Sequence, residues 1–269
     1  MSRIAAPAGR AELLGCPVDR LDMGQTVRRC LEQVEQRRYG QHLCINAAKL
    51  VAMHEDPSLM AVARDCSLVS ADGQSVVWAS RLLGLGLPER VAGIDLMGEL
   101  FAAAERDGHS VYVLGAQAEV LRTAMARLRE RHPRLAVAGS RDGFFSTAEE
   151  AEVAAGVRAS GADMLFVAMS SPRKERFLAE HGEAMGVPFV MGVGGSIDVL
   201  AGHTRRAPRA WQKTGMEWLY RLLQEPRRLA PRYARTNLRF LGLVAREALA
   251  WPRAAAQRRL CGQPPSSSE

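Results

Sequence analysis

Four stretches carry side chains whose types and spacing could do chemistry. In "SADGQSVVW", Asp72 follows an apolar run and precedes Gly73. A carboxylate there acts as a general base if its surroundings lift its proton affinity toward neutrality. The competing reading is an N-cap for a helix beginning near Gln74. In "PERVAGIDLM", Arg90 stands before a Gly-Ile-Asp turn, where a guanidinium either holds a pyrophosphate or hydroxyls bidentately or forms a surface ion pair. In "SSPRKERF", Arg173, Lys174 and Glu175 open a helix. Cations at a helix N-terminus oppose the macrodipole, and either a bound anion or solvent relieves that opposition. In "GVGGSIDVLAGHTRRAP", Gly194 and Gly195 let backbone N–H groups approach a phosphate. Asp198 would repel that phosphate, so either the glycines form only a tight turn or the ligand also offers groups that donate to Asp198.

These residues need a frame that brings them together. Short apolar runs at 42–46, 66–72, 110–116, 135–140, 163–169 and 188–194 read as buried strands. Helical periodicity covers 23–38, 47–64, 74–84, 95–107, 117–132, 147–159 and 173–185. The alternation predicts an α/β, Rossmann-like domain, a mostly parallel sheet with helices on both faces. Ser146 is expected to cap one helix, and Ser171-Pro172 to place a capping hydroxyl before a proline in the first turn of another. Ligands of open α/β sheets bind beyond the carboxyl ends of the strands. Asn46, Asp72, Gly115, residues 170–175 and residues 192–198 fall at those ends. "LGAQAEV" has a single glycine, so it fails as a dinucleotide fingerprint, and plain turn geometry accounts for it.

Charge divides the chain. Residues 205–259 hold thirteen Arg and one Lys against three Glu, a net +11, and the whole chain is +7, so the remainder is −4. A mildly acidic body thus carries a basic appendage that calls for an anionic partner. Arg221, Arg228, Arg232, Arg235, Arg239 and Arg246 recur at helical spacing beside an apolar stripe of Leu229, Tyr233, Phe240 and Val244. That pattern suits a segmented helix, broken at Pro226 and Pro231, lying on an anionic bilayer; a helix packed on the domain with a solvated arginine face is the alternative. Five cysteines without CxxC spacing fit reduced thiols of a cytoplasmic protein. There is no HExxH, no His/Cys cluster and no DxD pair, so no metal is expected. No signal peptide or membrane-spanning run is read, and residues 1–10 and 262–269 are expected to be loose.

Together the segments "NAAKL", "SADGQSVVW", "ERVAGIDLM", "VAMSSPRKE", "GVGGSIDVLAGHTRRAP" and "QKTGMEWLYRLLQEPRRL" resemble the WecG/TagA/CpsF bacterial glycosyltransferases, glycosyltransferase family 26, over about residues 12–245. The resemblance implies an inverting, metal-independent enzyme without a cofactor. Such an enzyme moves a sugar from a UDP-sugar donor, UDP-N-acetylmannosamine or its uronic acid, to a polyprenyl-diphosphate-linked sugar acceptor. It works peripherally on the cytoplasmic face of the membrane, in synthesis of cell-surface polysaccharides. It further implies Asp72 as catalytic base; Asn46, Arg90, Lys174, Gly194, Gly195, Asp198 and Cys44 as substrate-binding; and Arg221, Arg228 and Arg232 as stabilisers of the departing diphosphate. Residues 11–204 would form the UDP-sugar-binding domain and 205–260 the appendage.

Cys44 stands where many members have Thr, and Lys174 where they have Gln. A thiol is a poor hydrogen-bonding group and lysine adds a charge, so UDP-glucose in exopolysaccharide synthesis remains an alternative donor. From other classes, a nucleotide- or nucleic-acid-binding regulator lacks aromatic platforms and known motifs, so no nucleic-acid partner is expected. A dinucleotide oxidoreductase lacks GxGxxG. Homo-oligomerisation is left open.

Overall fold

A computed structural model describes the backbone of residues 9–261 and the side chains of residues 9–250, except those at 209, 213, 221, 228, 229 and 232. The chain begins with an antiparallel hairpin, β1 (Arg10–Leu13) and β2 (Cys16–Asp19). Of the ends expected to be loose, residues 1–8 and 262–269 lie outside the described residues, while Arg10 opens β1 and pairs with the buried carboxylate of Asp19 at 2.9 Å.

There follow α1 (Met23–Glu35), β3 (Gly40–Ile45), α2 (Ala47–Glu55), α3 (Pro57–Asp65), β4 (Leu68–Ala71), α4 (Gln74–Leu82) and α5 (Gly93–Asp107). Next come β5 (Ser110–Gly115), α6 (Ala118–Arg131), β6 (Ala136–Arg141), a 3₁₀ turn at Thr147–Glu149, α7 (Glu150–Ala159), β7 (Met164–Ala168), α8 (Arg173–His181) and β8 (Phe189–Gly192). Short helices α9 (Ser196–Leu200) and α10 (Arg209–Lys213) lead to α11 (Glu217–Gln224) and α12 (Pro226–Cys261).

All six strands expected from apolar runs pair in one parallel sheet, in the order β4-β3-β8-β7-β5-β6. Strands β3, β4 and β7 are buried throughout, as expected of a parallel sheet covered on both faces. The hairpin and the one-turn helix α9 are elements without a prediction, because segments of four or five residues give too short a period to read.

Local chemistry explains where helices depart from expectation. The single helix expected over 47–64 is two, because Asp56 caps a new helix through the Ser58 N–H and Pro57 fits its first position. Ser146 and Glu149 form a capping box, the Ser146 side chain accepting from the Glu149 N–H and the Glu149 carboxylate accepting from the Ser146 N–H. Ser171-Pro172 behaves differently: Pro172 occupies the cap itself, and no side chain caps α8. In the appendage the chain breaks at Pro226, but α12 runs through Pro231. Only the bond to the Arg227 carbonyl is forfeited there, and Arg227 is exposed, so water can serve it.

The apolar stripe expected to meet a bilayer is partly core. Phe240 and Val244 are buried in one cluster with residues of α2, α3 and α4, and α12 packs along α2. Tyr233 meets Trp218 edge-on, tying α12 to α11.

Candidate active site

Neighbouring strands β4, β3, β8 and β7 end side by side, so Asp72, Asn46, Gly192 and Ser170 lie together along one edge of the sheet. Asn46 caps α2, its side-chain oxygen accepting from the Lys49 N–H at 3.0 Å. Gly73 lies against it, a Cβ there falling 3.2 Å from the Asn46 Cβ.

Asp72 does not cap α4, whose cap is Gly73 without a side-chain bond. Instead one carboxylate oxygen accepts the N–H of Gly93, the first residue of α5, at 3.0 Å. The residue keeps a partly open face. Burial of its carboxyl lifts the pKa above the ordinary value, against the pull of the Gly93 N–H, Arg90 and Lys49, while the negative Glu217 adds to the lift. A raised carboxylate with an open side is what a general base needs.

Beneath Asp72 lies a polar floor. Cys44 is buried, and its sulfur would stand 2.9 Å from a Cβ on Gly93. Glycine is therefore required at 93: a side chain would push against the thiol and shift the N–H that Asp72 accepts. Burial drives the Cys44 thiol up to about 12, so it is a neutral packing group. Ser70 donates to its sulfur and bonds Nε2 of His42, whose imidazole burial holds down at about 3.

Beside this floor, Lys174 lays its stem across Gly192 and is 4% exposed. Its ammonium and that of Lys49 stand 3.4 and 3.5 Å from one oxygen of Glu175, itself 3% exposed. Burial alone would raise Glu175, but the two ammonium groups outweigh it and hold the carboxyl below its ordinary range. Burial, then repulsion from Lys49, lowers the Lys174 ammonium. Arg173 donates to the Gly143 and Phe145 carbonyls and lies 4.6 Å over the Phe145 ring. Internal partners thus account for the cations at the start of α8, and no anion is needed to explain them.

One strand over, Gly194 takes a left-handed φ of +50° that favours glycine, and Gly195 lies 3.6 Å (as a built Cβ) from the Asp198 carboxylate. The Asp198 carbonyl accepts from the N–H groups of His203 and Thr204, closing the turn toward the appendage. Of the predicted residues, Asp72, Asn46, Arg90 and Cys44 cluster around the ends of β3 and β4, Lys174 lies under the end of β8, and Gly194, Gly195 and Asp198 follow it. Arg221, Arg228 and Arg232 have side chains outside the described residues.

The appendage reaches the same corner. Arg90 pairs with Glu217 of α11 at 3.0 Å, and Glu217 also faces Arg206 at 3.5 Å. Arg206 grips Asp95 through both of its terminal nitrogens. Arg90, Glu217, Arg206 and Asp95 thus form one charged network whose field reaches the Asp72 carboxylate.

A family model for the glycosyl transferase WecG/TagA/CpsF family matches residues 11–254, nearly the whole chain. The chain belongs to the WecG/TagA/CpsF glycosyltransferase family. The match spans both the sheet and most of the basic appendage, and membership supplies a reaction class, glycosyl transfer. As a WecG/TagA/CpsF glycosyltransferase the protein acts on a sugar donor and an acceptor. Among the described residues no helix is long and apolar enough to cross a membrane.

Four residues of the corner escaped sequence reasoning: Lys49, Asp95, Glu175 as a buried pair, and Glu217. Each stands inside a motif, "NAAKL", "GIDLM", "PRKE" or "GMEWLY". The signal was position within the motif. What was missing was the pairing, which only tertiary contact reveals.

Proposed function

We propose that this protein is an inverting, metal-independent glycosyltransferase that carries a sugar from a UDP-sugar to a polyprenyl-diphosphate-linked sugar during bacterial cell-surface polysaccharide synthesis. The observation that carries the reading is Asp72: a partly open carboxylate of raised proton affinity, fixed by the Gly93 N–H, within the field of the Arg90 guanidinium. In this reaction an acceptor hydroxyl attacks the anomeric carbon from the face opposite UDP. The new C–O bond forms as the bond to the diphosphate oxygen breaks, the hydroxyl proton passes to Asp72, and UDP leaves with the electron pair. Arg90 and the appendage arginines Arg221, Arg228 and Arg232 neutralise the departing charge in place of a metal. Asn46, Gly194, Gly195 and Asp198 line the donor and acceptor subsites, and Cys44 and the buried Lys174 support them from below. Residues 11–204 form the donor-binding domain and 205–260 the appendage.

Exposure on the appendage supports work at the inner face of the cytoplasmic membrane. Leu238, Leu241 and Leu249 are 71, 61 and 78% exposed, and their spacing sets them on one side of α12. Arg235, Arg239 and Arg246 occupy a neighbouring side and are exposed. An apolar strip flanked by guanidinium groups suits an anionic bilayer surface. Arg239 also pairs with Glu55, so Arg235 and Arg246 are the cleaner probes. Replacing both with Gln should weaken flotation with anionic vesicles by about fivefold per charge, from ~1 kcal/mol each.

The deciding experiment is UDP release by the purified protein, with a series of UDP-sugars and with GlcNAc- and glucose-diphosphate-lipid acceptors, with and without EDTA. Turnover with one donor, unaffected by chelation and giving the inverted anomer, is the expected result. Turnover that EDTA abolishes and Mg²⁺ restores rejects the arginine-based leaving-group account.

A further inference from the structure

The appendage meets the catalytic corner at three described points. Gly215, with φ at +73°, sits so close to α4 that a Cβ would fall 2.4 Å from Cγ of Gln74. Arg206 is committed to Asp95. Glu217 reaches in between, dividing its two oxygens between Arg90 and Arg206. The side chains of Glu217 and Arg90 are only 12 and 16% exposed, so this pair is far from a solvated surface contact.

We propose that Glu217 is a positioning residue: it latches the C-terminal appendage over the crevice through Arg90 and Arg206, and it holds the Arg90 guanidinium off the carboxylate of Asp72. The inference rests on the proposed transfer reaction for its kinetic readout only.

Two observations argue for the latch. First, Glu217 opens α11, where any carboxylate is favoured by the helix dipole. That local role is met equally by a side chain pointing to water, yet this one turns inward and joins three separate segments: the loop before α5, the segment after α9, and α11 itself. Second, Arg90 stands between two carboxylates. With Glu217 present, one arm of the guanidinium is taken at 3.0 Å. Without it, the guanidinium is still drawn to Asp72, on which its charge already acts, and an Arg90–Asp72 pair would hold the base as an unreactive carboxylate. The groups acting on Asp72 are the Gly93 N–H from α5, Lys49 from α2, Arg90, and Glu217 from α11, with the Cys44 thiol below. Removing Glu217 takes away the one negative neighbour among them.

The test uses the full chain and the variants Glu217→Gln, Glu217→Asp, Arg206→Gln and Asp95→Asn. Hydrogen exchange reads the latch directly. In Glu217→Gln, amides of residues 215–224 should exchange at least about tenfold faster than in wild type, as expected when one partner of an enclosed ion pair is lost, while β3, β4 and β8 stay protected. Glu217→Asp should restore part of that protection. On a soluble short-chain acceptor, kcat/KM should fall at least about tenfold and its acidic limb should move to lower pH, a shift that a purely structural role would not produce. Unchanged exchange over 215–224 in Glu217→Gln overturns the latch, as does loss of activity with an unmoved pH limb. If Glu217→Gln loosens the sheet as well, Arg206→Gln set against Asp95→Asn decides, since both lose the Arg206–Asp95 pair and only the former loses the Glu217 contact: exchange over 215–224 faster in Arg206→Gln than in Asp95→Asn sustains the proposal, and equal exchange rejects it. Should the wild type release UDP from no donor, the transfer reaction fails while the exchange result still judges the latch.

Discussion

Two carboxylates lie close under the same sheet ends and have been pushed in opposite directions. Asp72 has a backbone N–H on one oxygen, a guanidinium at a distance and another carboxylate, Glu217, nearby; burial dominates and its pKa rises. Glu175 is more fully enclosed, but two ammonium groups stand within 3.5 Å, and its pKa falls. Burial alone therefore does not mark a base. What separates the two is how many cations reach the carboxylate directly, and whether one side is left open to a substrate. Asp72 has the profile of a group that takes a proton, and Glu175 that of a counter-ion holding α8 and α2 to the floor of the site.

The largest test of this division is Asp72→Asn. The amide keeps an oxygen for the Gly93 N–H but cannot accept the acceptor's proton, so kcat should drop by ~10²–10⁴-fold with donor binding little altered. Near-normal kcat, measured by UDP release at saturating donor, would return Asp72 to a structural role and dissolve the contrast.

Glu175→Gln should do the reverse, harming stability more than chemistry. It leaves Lys174 and Lys49 facing each other across a buried amide, and removing one partner of an enclosed charge network costs about 3 kcal/mol. Chemical denaturation at neutral pH reads this as a lower midpoint with an unchanged slope. If the fold is unaffected and kcat collapses instead, Glu175 belongs to the reacting groups and the assignment of roles must be exchanged.

How much of this was legible beforehand follows from what sequence patterns encode. All six parallel strands were readable because a strand buried on both faces must be apolar along its length. The positions of Asp72 and Asn46 were readable because they stand where strands end and turns begin, and that of Arg90 because it precedes a Gly-Ile-Asp turn. The roles of Lys174 and Cys44 were not. In sequence Lys174 reads as a cation opposing a helix dipole, relieved by a bound anion or by solvent, and only the fold supplies Glu175 and Lys49 as partners and Gly192 as a surface for its stem. Cys44 looked like a substrate contact, whereas its buried sulfur meets Gly93, which in turn holds Asp72. The appendage was read by the period of its arginines, but a helical period has no absolute direction. The stripe containing Phe240 and Val244 turned toward α2, and leucines outside that stripe face outward.

The finest test of the contrast is the pH dependence of stability in the two variants, because the signs are opposite. Asp72 has a folded pKa above its unfolded value of roughly 4. Its contribution is fully present below that value and is lost as pH rises through the folded pKa. Asp72→Asn escapes the loss, so its Tm should match wild type in acid and exceed it increasingly above about pH 4. Glu175 has a folded pKa below its unfolded value, so its contribution is present above roughly pH 4 and is lost as pH falls through the folded pKa. Glu175→Gln should therefore lie below wild type near neutrality and converge with it in acid. The two difference curves, taken by thermal melts from pH 3 to pH 8, should both close at the acidic end and open in opposite directions. They should also open over different ranges, that of Glu175 between its lowered folded pKa and its unfolded value, and that of Asp72 between its unfolded value and its raised folded pKa. An Asp72→Asn variant that melts below wild type at pH 7 would mean that Arg90 and Lys49 stabilise the ionised carboxylate more than burial opposes it. Asp72 would then be a counter-ion like Glu175, and the base for the transfer would have to be sought among the other groups of the crevice.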